Sequence, residues 1–169
     1  MKHLPKHLQP RWRYLAVEFE TWPDADFDRG DFQRQCWFAA QNLLGDVGSA
    51  DLDLSVFRFD HDDGWGQSVI RVRRGETDRA RAVLACIDEV NGDEIGLRVQ
   101  GVSGTVRACE EKYIRRRPIA SDQRNVVFEN AERSGVVYDR GASDAPRGGR
   151  RVDVRCDDAF AGTTELDLE

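Results

Sequence analysis

Two glycines and two hydroxyl residues between positions 101 and 105 form the first pattern that could bind a ligand. Gly101 and Gly104 flank Ser103, and glycine lets the backbone adopt unusual dihedrals and approach a partner closely. Ser103 or Thr105 can cap a following helix, whose first N–H groups and positive dipole end then face outward. Such a turn suits a phosphate group. It is also compatible with an ordinary strand-to-helix corner, in which the glycines serve geometry alone.

Arginine supplies most of the positive charge in a chain that is acidic overall. The 25 Lys and Arg residues face 31 Asp and Glu residues, which gives a net charge of −6. A strongly acidic protein is ordinarily a poor nucleic-acid binder, so local clusters matter more than the total. Guanidinium groups form forked hydrogen bonds with phosphate and stack on bases. The arginines cluster at Arg11 and Arg13, at Arg71, Arg73 and Arg74, and at Arg115, Arg116 and Arg117.

No pattern indicates catalysis or a metal site in the protein itself. His3 and His7 are four residues apart, but Pro5 opposes the helix that would align them. The acidic segment 60–63 contains one histidine and is explained more simply by hairpin-loop chemistry. Four scattered cysteines form no C-x-x-C pair, and no nucleophile–base pair or carboxylate dyad is evident. We therefore expect no catalytic residue, no protein-bound metal and no cofactor held by the protein.

Length and composition indicate one domain in a soluble protein. The chain has 169 residues, no apolar run near the roughly 18 residues of a membrane helix and no signal peptide. We therefore expect a cytoplasmic protein without a membrane partner. Only Lys2, Lys6 and Lys112 are lysines, and an acidic, lysine-poor composition is typical of extreme halophiles.

Hydrophobic periodicity predicts the elements that position these residues. Strands are expected over 14–20, 54–60, 67–73 and 94–102, with helices from Asp28 or Asp31 to about Gly45, from Thr77 to a stop at Asn91-Gly92, and after Thr105. The order β-α-β-β-α-β favours an α/β fold of the α+β sandwich type, ferredoxin-like and similar to RNA-recognition domains, with an antiparallel sheet and a C-terminal basic helix.

The alternation of side chains predicts which face of the sheet is covered. The inward set is Leu15, Val17, Phe19, Ile70, Val72, Leu97 and Val99, while Phe57 and Phe59 are expected on one side of their strand, and Val56 and Arg58 on the other. The opposite, open face would carry Tyr14, Arg58, Arg71, Arg73, Arg98 and Gln100. That face is either ordinary solvated surface or an RNA-binding surface. Because it lacks the paired aromatic residues of common single-strand-binding sheets, it would bind RNA through the RNA backbone and shape.

The first helix combines a core stripe with two large side chains beside it. Phe32, Cys36, Ala39 and Leu43 recur at helical spacing. Trp37 and Phe38 do not share that stripe easily, and are either additional core or a surface for a protein partner.

Three regions are predicted along the chain. Residues 1–13 form a proline-punctuated basic arm, which either contacts RNA or is a frayed terminus, and residues 14–118 form the ferredoxin-like domain. Residues 119–169 are poor in apolar residues and mixed in charge, which predicts a disordered or weakly structured extension.

Three segments together resemble a known family. They are Arg13-Tyr14-Leu15, the helix residues Trp37, Ala39 and Leu44-Gly45, and above all Gly101-Val102-Ser103-Gly104-Thr105-Val106-Arg107. Over roughly residues 3–117 the chain resembles archaeal ribonuclease P protein component 2, and nothing is carried over to the extension.

The resemblance implies a subunit of the ribonucleoprotein endonuclease that removes the 5′ leader of precursor tRNA. In that family the RNA subunit carries the chemistry with Mg²⁺, and this protein pairs with protein component 3 and other protein subunits. The expected RNA contacts are Arg11, Arg13, Arg71, Arg73, Arg98, Ser103, Gly104, Thr105, Arg107 and Lys112, and the expected protein interface is Trp37 and Phe38.

Two other functions remain compatible with the residues. One is a regulatory domain on the same fold that binds a small molecule, and the other is a protein–protein adaptor whose arginine face is merely solvated. Since counterion release drives little binding at molar salt, an RNA binder of this composition is expected to depend on a few well-placed arginines and on its protein partner.

Overall fold

The computed structural model describes residues 4–114, 119–128, 131–139, 151–156 and 159–164. The elements in chain order are β1 (Trp12–Thr21), α1 (Arg29–Leu52), β2 (Ser55–Asp62), β3 (Trp65–Arg73), α2 (Thr77–Ala85), β4 (Glu89–Val90), β5 (Asp93–Ser103), α3 (Val106–Tyr113), β6 (Ile119–Phe128), β7 (Ala131–Asp139), β8 (Arg151–Cys156) and β9 (Ala159–Thr164). Strands β1 to β5 form one antiparallel sheet in the order β2-β3-β1-β5-β4, and β6 to β9 form a second sheet in sequence order.

The first sheet and its helices have the predicted ferredoxin-like arrangement. Strands β1 and β3 lie at the centre, β2 and β5 flank them, and α1 and α2 pack on one face. This confirms the α/β class and the β-α-β-β-α-β order. The short β4 is an addition that pairs only with the start of β5.

The predicted inward residues form the core between the helices and the sheet. Leu15, Val17 and Phe19 are at most 1% exposed, and the predicted residues of β3 and β5 belong to the same cluster. The ring of Phe19 stacks on Phe32 of α1, with 5.4 Å between the ring centroids, and on Phe59 at 5.5 Å. Stacked aromatic rings therefore join α1 to both central and edge strands.

Helix α1 begins as expected and is broken at the residue where its end is predicted. Asp28 and Asp31 form a capping box, in which each carboxylate accepts the backbone N–H of the other. Gly45 has non-helical dihedrals, with φ 71° and ψ −179°, so the first helical segment ends there as predicted. A second helical segment follows across this kink and continues to Leu52. Leu43 is 46% exposed instead of buried, so its assignment to the core stripe is wrong. It lies two residues before the kink at Gly45.

Strand β2 contains a bulge that reverses the expected alternation. Its register with β3 shifts between Val56 and Arg58. Val56 is buried and Phe59 packs in the core, while Phe57 is 53% exposed and meets Tyr14 edge-to-face. The prediction that Phe57 and Phe59 share a side is wrong, because one extra residue in a strand turns the following side chains to the other face.

Helix α2 is shorter than predicted. It ends at Ala85, and Val90 lies in β4. Asn91 and Gly92, with φ 53° and 86°, connect β4 to β5 as a tight hairpin instead of capping the helix. Two consecutive positive φ values are typical of this turn, for which Asn-Gly is the preferred sequence.

Helix α3 lies on the second face of the first sheet, which is therefore only partly open. Cys109 of α3 is buried with Ala16 and Val69, and its thiol is 3.6 Å from the carbonyl oxygen of Tyr14. A Cβ at Gly101 would overlap the ring of Tyr113. Because α3 approaches β5 this closely, residue 101 has no room for a side chain, which accounts for Gly101.

Strands β6 to β9 correct the prediction of disorder for the part of the extension that the structure describes. The short apolar runs at 126–128 and 136–138 lie in β6 and β7, which pair with each other. Val126 and Val154 are buried. Alternating residues on paired strands can bury a few apolar side chains even where the average hydropathy is low. The arginines at 115–117 lie outside the described residues.

The N-terminal arm is shorter than predicted, because β1 already begins at Trp12. Before it, the N–H of Leu8 donates to the carbonyl oxygen of Pro5 in a turn. His3 lies outside the described residues. Within the described part of the chain, no helix is long and apolar enough to cross a membrane.

Candidate nucleic-acid interface

Five arginines lie at one end of the first sheet, which we call the arginine end. Across β1 and β3, Trp12 pairs with Arg73 and Tyr14 pairs with Arg71. The N–H of Arg74 donates to the carbonyl oxygen of Arg11 over 2.9 Å, which joins the two chain segments beyond the strands. The arginine end comprises Trp12 and the five arginines Arg11, Arg13, Arg71, Arg73 and Arg74.

The indole ring of Trp12 contacts two of these guanidinium groups. The central carbon of Arg71 lies 4.1 Å from the ring centroid, and that of Arg73 lies 4.8 Å from it, both within cation–π distance. Arg73 also forms an ion pair with Asp53, with 3.0 Å between Nη2 and Oδ2. Arg71 has no carboxylate partner among the residues that the structure describes.

The start of α3 lies beside Arg13. Ser103 pairs with Tyr14, and the Thr105 hydroxyl accepts the N–H of Ala108 over 3.2 Å as the N-cap of α3. The Nη1 atom of Arg13 is 3.5 Å from the position that a Cβ at Gly104 would take. The glycine turn and the first arginine pair, which the sequence predicts separately, therefore meet at the arginine end.

Arg98 lies elsewhere, among carboxylates. Its Nη2 is 2.6 Å from Glu18 Oε1 and 2.9 Å from Glu20 Oε1. Gln100 donates to the second oxygen of Glu18 over 2.8 Å. Glu18 is 8% and Glu20 is 1% exposed. Charges removed from water require such partners, so the charge of Arg98 is balanced inside the protein.

Helix α3 carries two further predicted contacts. The side chain of Arg107 is 87% exposed and pairs with Glu111 over 2.7 Å. The ammonium of Lys112 lies 5.1 Å from the ring centroid of Tyr113. On its other side, Glu110 forms a 3.0 Å ion pair with Arg58 of β2. Hydrogen bonds to Glu110 and Asp60 raise the pKa of Arg58, so this arginine ties α3 to the sheet.

Residues 13–114 match the model of the Rpp14/Pop5 family. The chain belongs to the Rpp14/Pop5 family. Its relatives include Ribonuclease P protein component 2 of Haloarcula marismortui, which is 56% identical over 168 residues and 99% of each chain. The protein of the same name from Natronomonas pharaonis is 58% identical over 99% of this chain and 98% of its own length. As a member of this family, the chain is a protein subunit of ribonuclease P, the tRNA-processing ribonucleoprotein endonuclease.

The Rpp14/Pop5 match ends where α3 ends. Ribonuclease P protein component 2 of Methanosarcina mazei is 35% identical over 114 residues, which are 68% of this chain and 93% of its own length. The haloarchaeal relatives match the chain almost throughout, including the extension. Strands β6 to β9 therefore lie outside the family model. The haloarchaeal relatives also confirm that the acidic, lysine-poor composition is that of a halophile's protein.

Trp37 and Phe38 lie on the surface of this family member, with 48% and 57% of their area exposed. The structure thus excludes them from the core. The Trp37 indole N–H donates to the carbonyl oxygen of Leu54 over 3.0 Å, which fixes the ring at the surface. Leu43 and Val47 on the same helix are also exposed. We call these four exposed apolar side chains of α1 the α1 surface.

A shallow groove of about 450 Å³ lies beside the β2–β3 hairpin. The ring of His61 stacks on Phe27, with 4.4 Å between centroids, and its Nε2 is 3.0 Å from the Thr21 hydroxyl. Burial lowers the pKa of His61. Asp63 and Gly64 have positive φ and form the hairpin turn, as the acidic segment predicts. Among the described residues, no three His, Cys, Asp or Glu side chains are grouped as metal ligands.

Sequence reasoning missed Trp12 and Arg74 as members of this interface. Trp12 stands between Arg11 and Arg13 and alternates with Tyr14, so its face was readable from the sequence. Its contact with Arg71 and Arg73 follows only from the register of β1 with β3, which the sequence does not fix.

Proposed function

We propose that this chain binds the RNA of ribonuclease P together with protein component 3, and so supports removal of the 5′ leader of precursor tRNA. Family membership supports the assignment to the ribonucleoprotein. The arginine end supports the contact with RNA. Precursor tRNA is the substrate of the assembled enzyme in this proposal, and the cytoplasm is where we expect it to act.

The distribution of arginine partners carries the proposal. Arg58, Arg98 and Arg107 each pair with carboxylates of the protein. At the arginine end, by contrast, Arg11, Arg13, Arg71 and Arg74 have no carboxylate partner in the described part of the chain. In a protein with a net charge of −6, four such guanidinium groups at one place favour an anionic partner. Because the chain belongs to a family of ribonuclease P proteins, the RNA backbone is the anionic partner that we propose.

The role that we propose for the protein is binding, with no catalytic residue assigned to it. The RNA subunit would carry the bond cleavage and hold the Mg²⁺. The protein would position that RNA through backbone phosphates, which fix register without reading sequence. Ser103, Gly104, Thr105, Arg107, Arg98 and Lys112 stay predicted RNA contacts, and of these the first three lie at the arginine end.

The α1 surface is the contact that we propose for protein component 3. An exposed tryptophan that is held by a hydrogen bond, on a helix with further exposed apolar side chains, resembles the anchors that dominate protein interfaces. It lies on α1, whereas the arginine end lies on β1, β3 and the residues next to them, so RNA and protein partner would use different elements.

The test is cleavage of precursor tRNA by the cognate ribonuclease P RNA in molar KCl with Mg²⁺, first with component 3 alone and then with the full chain added. We expect a faster rate or a lower Mg²⁺ requirement. No change with both proteins folded would refute the proposal. RNA-independent binding to component 3 alone would then indicate an adaptor, and a bound small molecule would indicate a regulatory domain.

A matched pair of variants separates specific contacts from total charge. Arg71→Ala removes one unpaired guanidinium, and we expect weaker RNA binding and a salt dependence reduced by about one phosphate contact. Arg79→Ala removes the same charge from α2, where Arg79 pairs with Glu76 and is exposed. Equal losses for the two variants would contradict a specific RNA contact at the arginine end.

A further inference from the structure

We propose that Trp12 is a positioning residue for RNA binding, because its ring holds Arg71 and Arg73 in the orientation in which they bind backbone phosphates. This inference rests on the proposed function and adds a residue to which neither the sequence patterns nor the family match assigns a role. Three features of the arginine end carry it.

The first feature is that one rigid ring orders two flexible side chains. Trp12 lies on β1 directly opposite Arg73 and diagonal to Arg71, and both guanidinium groups are within 5 Å of its centroid, at 4.8 Å and 4.1 Å. An arginine side chain loses much rotamer freedom when it binds a ligand. Contacts that order it beforehand reduce that loss, which is the general benefit of preorganisation.

The second feature is that a carboxylate of the protein holds Arg73 but not Arg71. Asp53 caps α1 with a positive φ of 45°, and its Oδ2 accepts a hydrogen bond from the Nε of Arg73 and lies 3.0 Å from the Nη2 of the same arginine. Arg71 has no such carboxylate in the described residues, and its enclosed Nε lacks a hydrogen-bond partner there. An enclosed donor of this kind is usually satisfied by a ligand or by water. Trp12 is then the contact that orients Arg71.

The third feature determines the chemical class of the ligand. A guanidinium stacked on a ring keeps its N–H donors in the plane, and these form forked bonds with phosphate oxygens. The ring itself is already in contact with two guanidinium groups. The arrangement therefore suits phosphodiesters of the RNA backbone rather than a base stacked on Trp12.

Binding of the full chain to labelled ribonuclease P RNA, measured over a range of KCl concentrations, tests the inference. We expect Trp12→Leu to weaken binding about fivefold, the order expected from cation–π contacts at a partly exposed site. Trp12→Phe keeps an aromatic face and should stay within about twofold of the wild type. Arg71→Lys keeps the charge but not the planar stack, and should bind about as weakly as Trp12→Leu.

A double-mutant cycle decides whether Trp12 acts through Arg71 and Arg73. If it does, Trp12→Leu should cause little further loss once both arginines are alanine. Independent, multiplicative losses would overturn the inference, as would wild-type binding by Trp12→Leu. Melting temperatures in the same KCl show whether a variant is folded, and Arg71→Lys keeps the test valid if Trp12→Leu does not fold. Absence of RNA binding by the wild-type chain would instead refute the proposed function itself.

Discussion

Replacing Gly101 by alanine is expected to destabilise the protein by displacing one ring of α3. The added Cβ would overlap ring carbons of Tyr113, which packs over β1 and β5 with Cys109 and Ile114. The backbone itself tolerates alanine, because Gly101 does not have a positive φ. The cost therefore comes from moving the Tyr113 ring out of its contact.

The magnitude follows from the area that the ring would expose. A buried aromatic side chain removes roughly 150–250 Å² from water, and roughly a third of that is at stake for the partly buried Tyr113. At about 25 cal/mol per Å², this corresponds to about 1–2 kcal/mol in the free energy of unfolding. Urea unfolding in molar KCl, followed by tryptophan fluorescence, measures the difference directly.

Gly104 provides the matched control in the same turn. A Cβ there would meet only the Arg13 Nη1 at 3.5 Å, an ordinary contact, so Gly104→Ala should change stability by less than about 0.5 kcal/mol. Tyr113→Ala should also relieve the overlap, so that the double variant loses less than the sum of the single losses. Equal effects of Gly101→Ala and Gly104→Ala, or strict additivity with Tyr113→Ala, would refute the packing argument.

Three further predictions concern the thiols, the half-buried histidine His61 and the first helix. Burial raises the pKa of the Cys36 thiol to about 12, so iodoacetamide at pH 8 should label exposed Cys86 and spare Cys36 in peptide maps of the folded protein. Burial also lowers the pKa of His61, so below about pH 6.5 the unfolded chain binds a proton more readily than the folded protein does. The free energy of unfolding should therefore fall from pH 7 to pH 5, and His61→Asn should reduce that fall in urea titrations. Asp28→Ala removes one half of the capping box and should cost about 1 kcal/mol in thermal unfolding, whereas an unchanged melting temperature would show that the cap contributes nothing.

Periodicity predicted the first sheet well because one of its faces is a continuous core. Leu15, Val17 and Phe19 alternate strictly, and burial enforces that register. The prediction from periodicity failed where a single residue changes the backbone geometry. The bulge before Arg58 is a local event that leaves the average pattern unchanged, so the sequence alone indicated a regular strand. The helix break at Gly45 was predicted, but the second helical segment that follows it to Leu52 was not.

The site was harder to predict than the fold, because it depends on which charges find partners. Arg71 and Arg98 look alike in the sequence, each alternating with apolar residues on a strand. Only the register places Arg98 beside Glu18 and Glu20 and leaves Arg71 with Trp12. The position of α3 across the second face is likewise a tertiary feature, and it hides part of the surface that the alternation predicted to be open.

The edges of the first sheet restrict how a partner can attach. Beyond β5, the short β4 pairs with only two residues, Asp93 and Glu94, and a hairpin turn follows it at once. At the other edge, β2 is interrupted by its bulge and carries the charged pair Arg58–Asp60. Bulges, charges and very short strands all hinder the addition of a foreign strand to a sheet. Strand addition and edge-to-edge aggregation are thus disfavoured at the β2 edge, whereas β4 covers only the first two residues of β5 and leaves the rest of that edge without a paired strand in the described part of the chain.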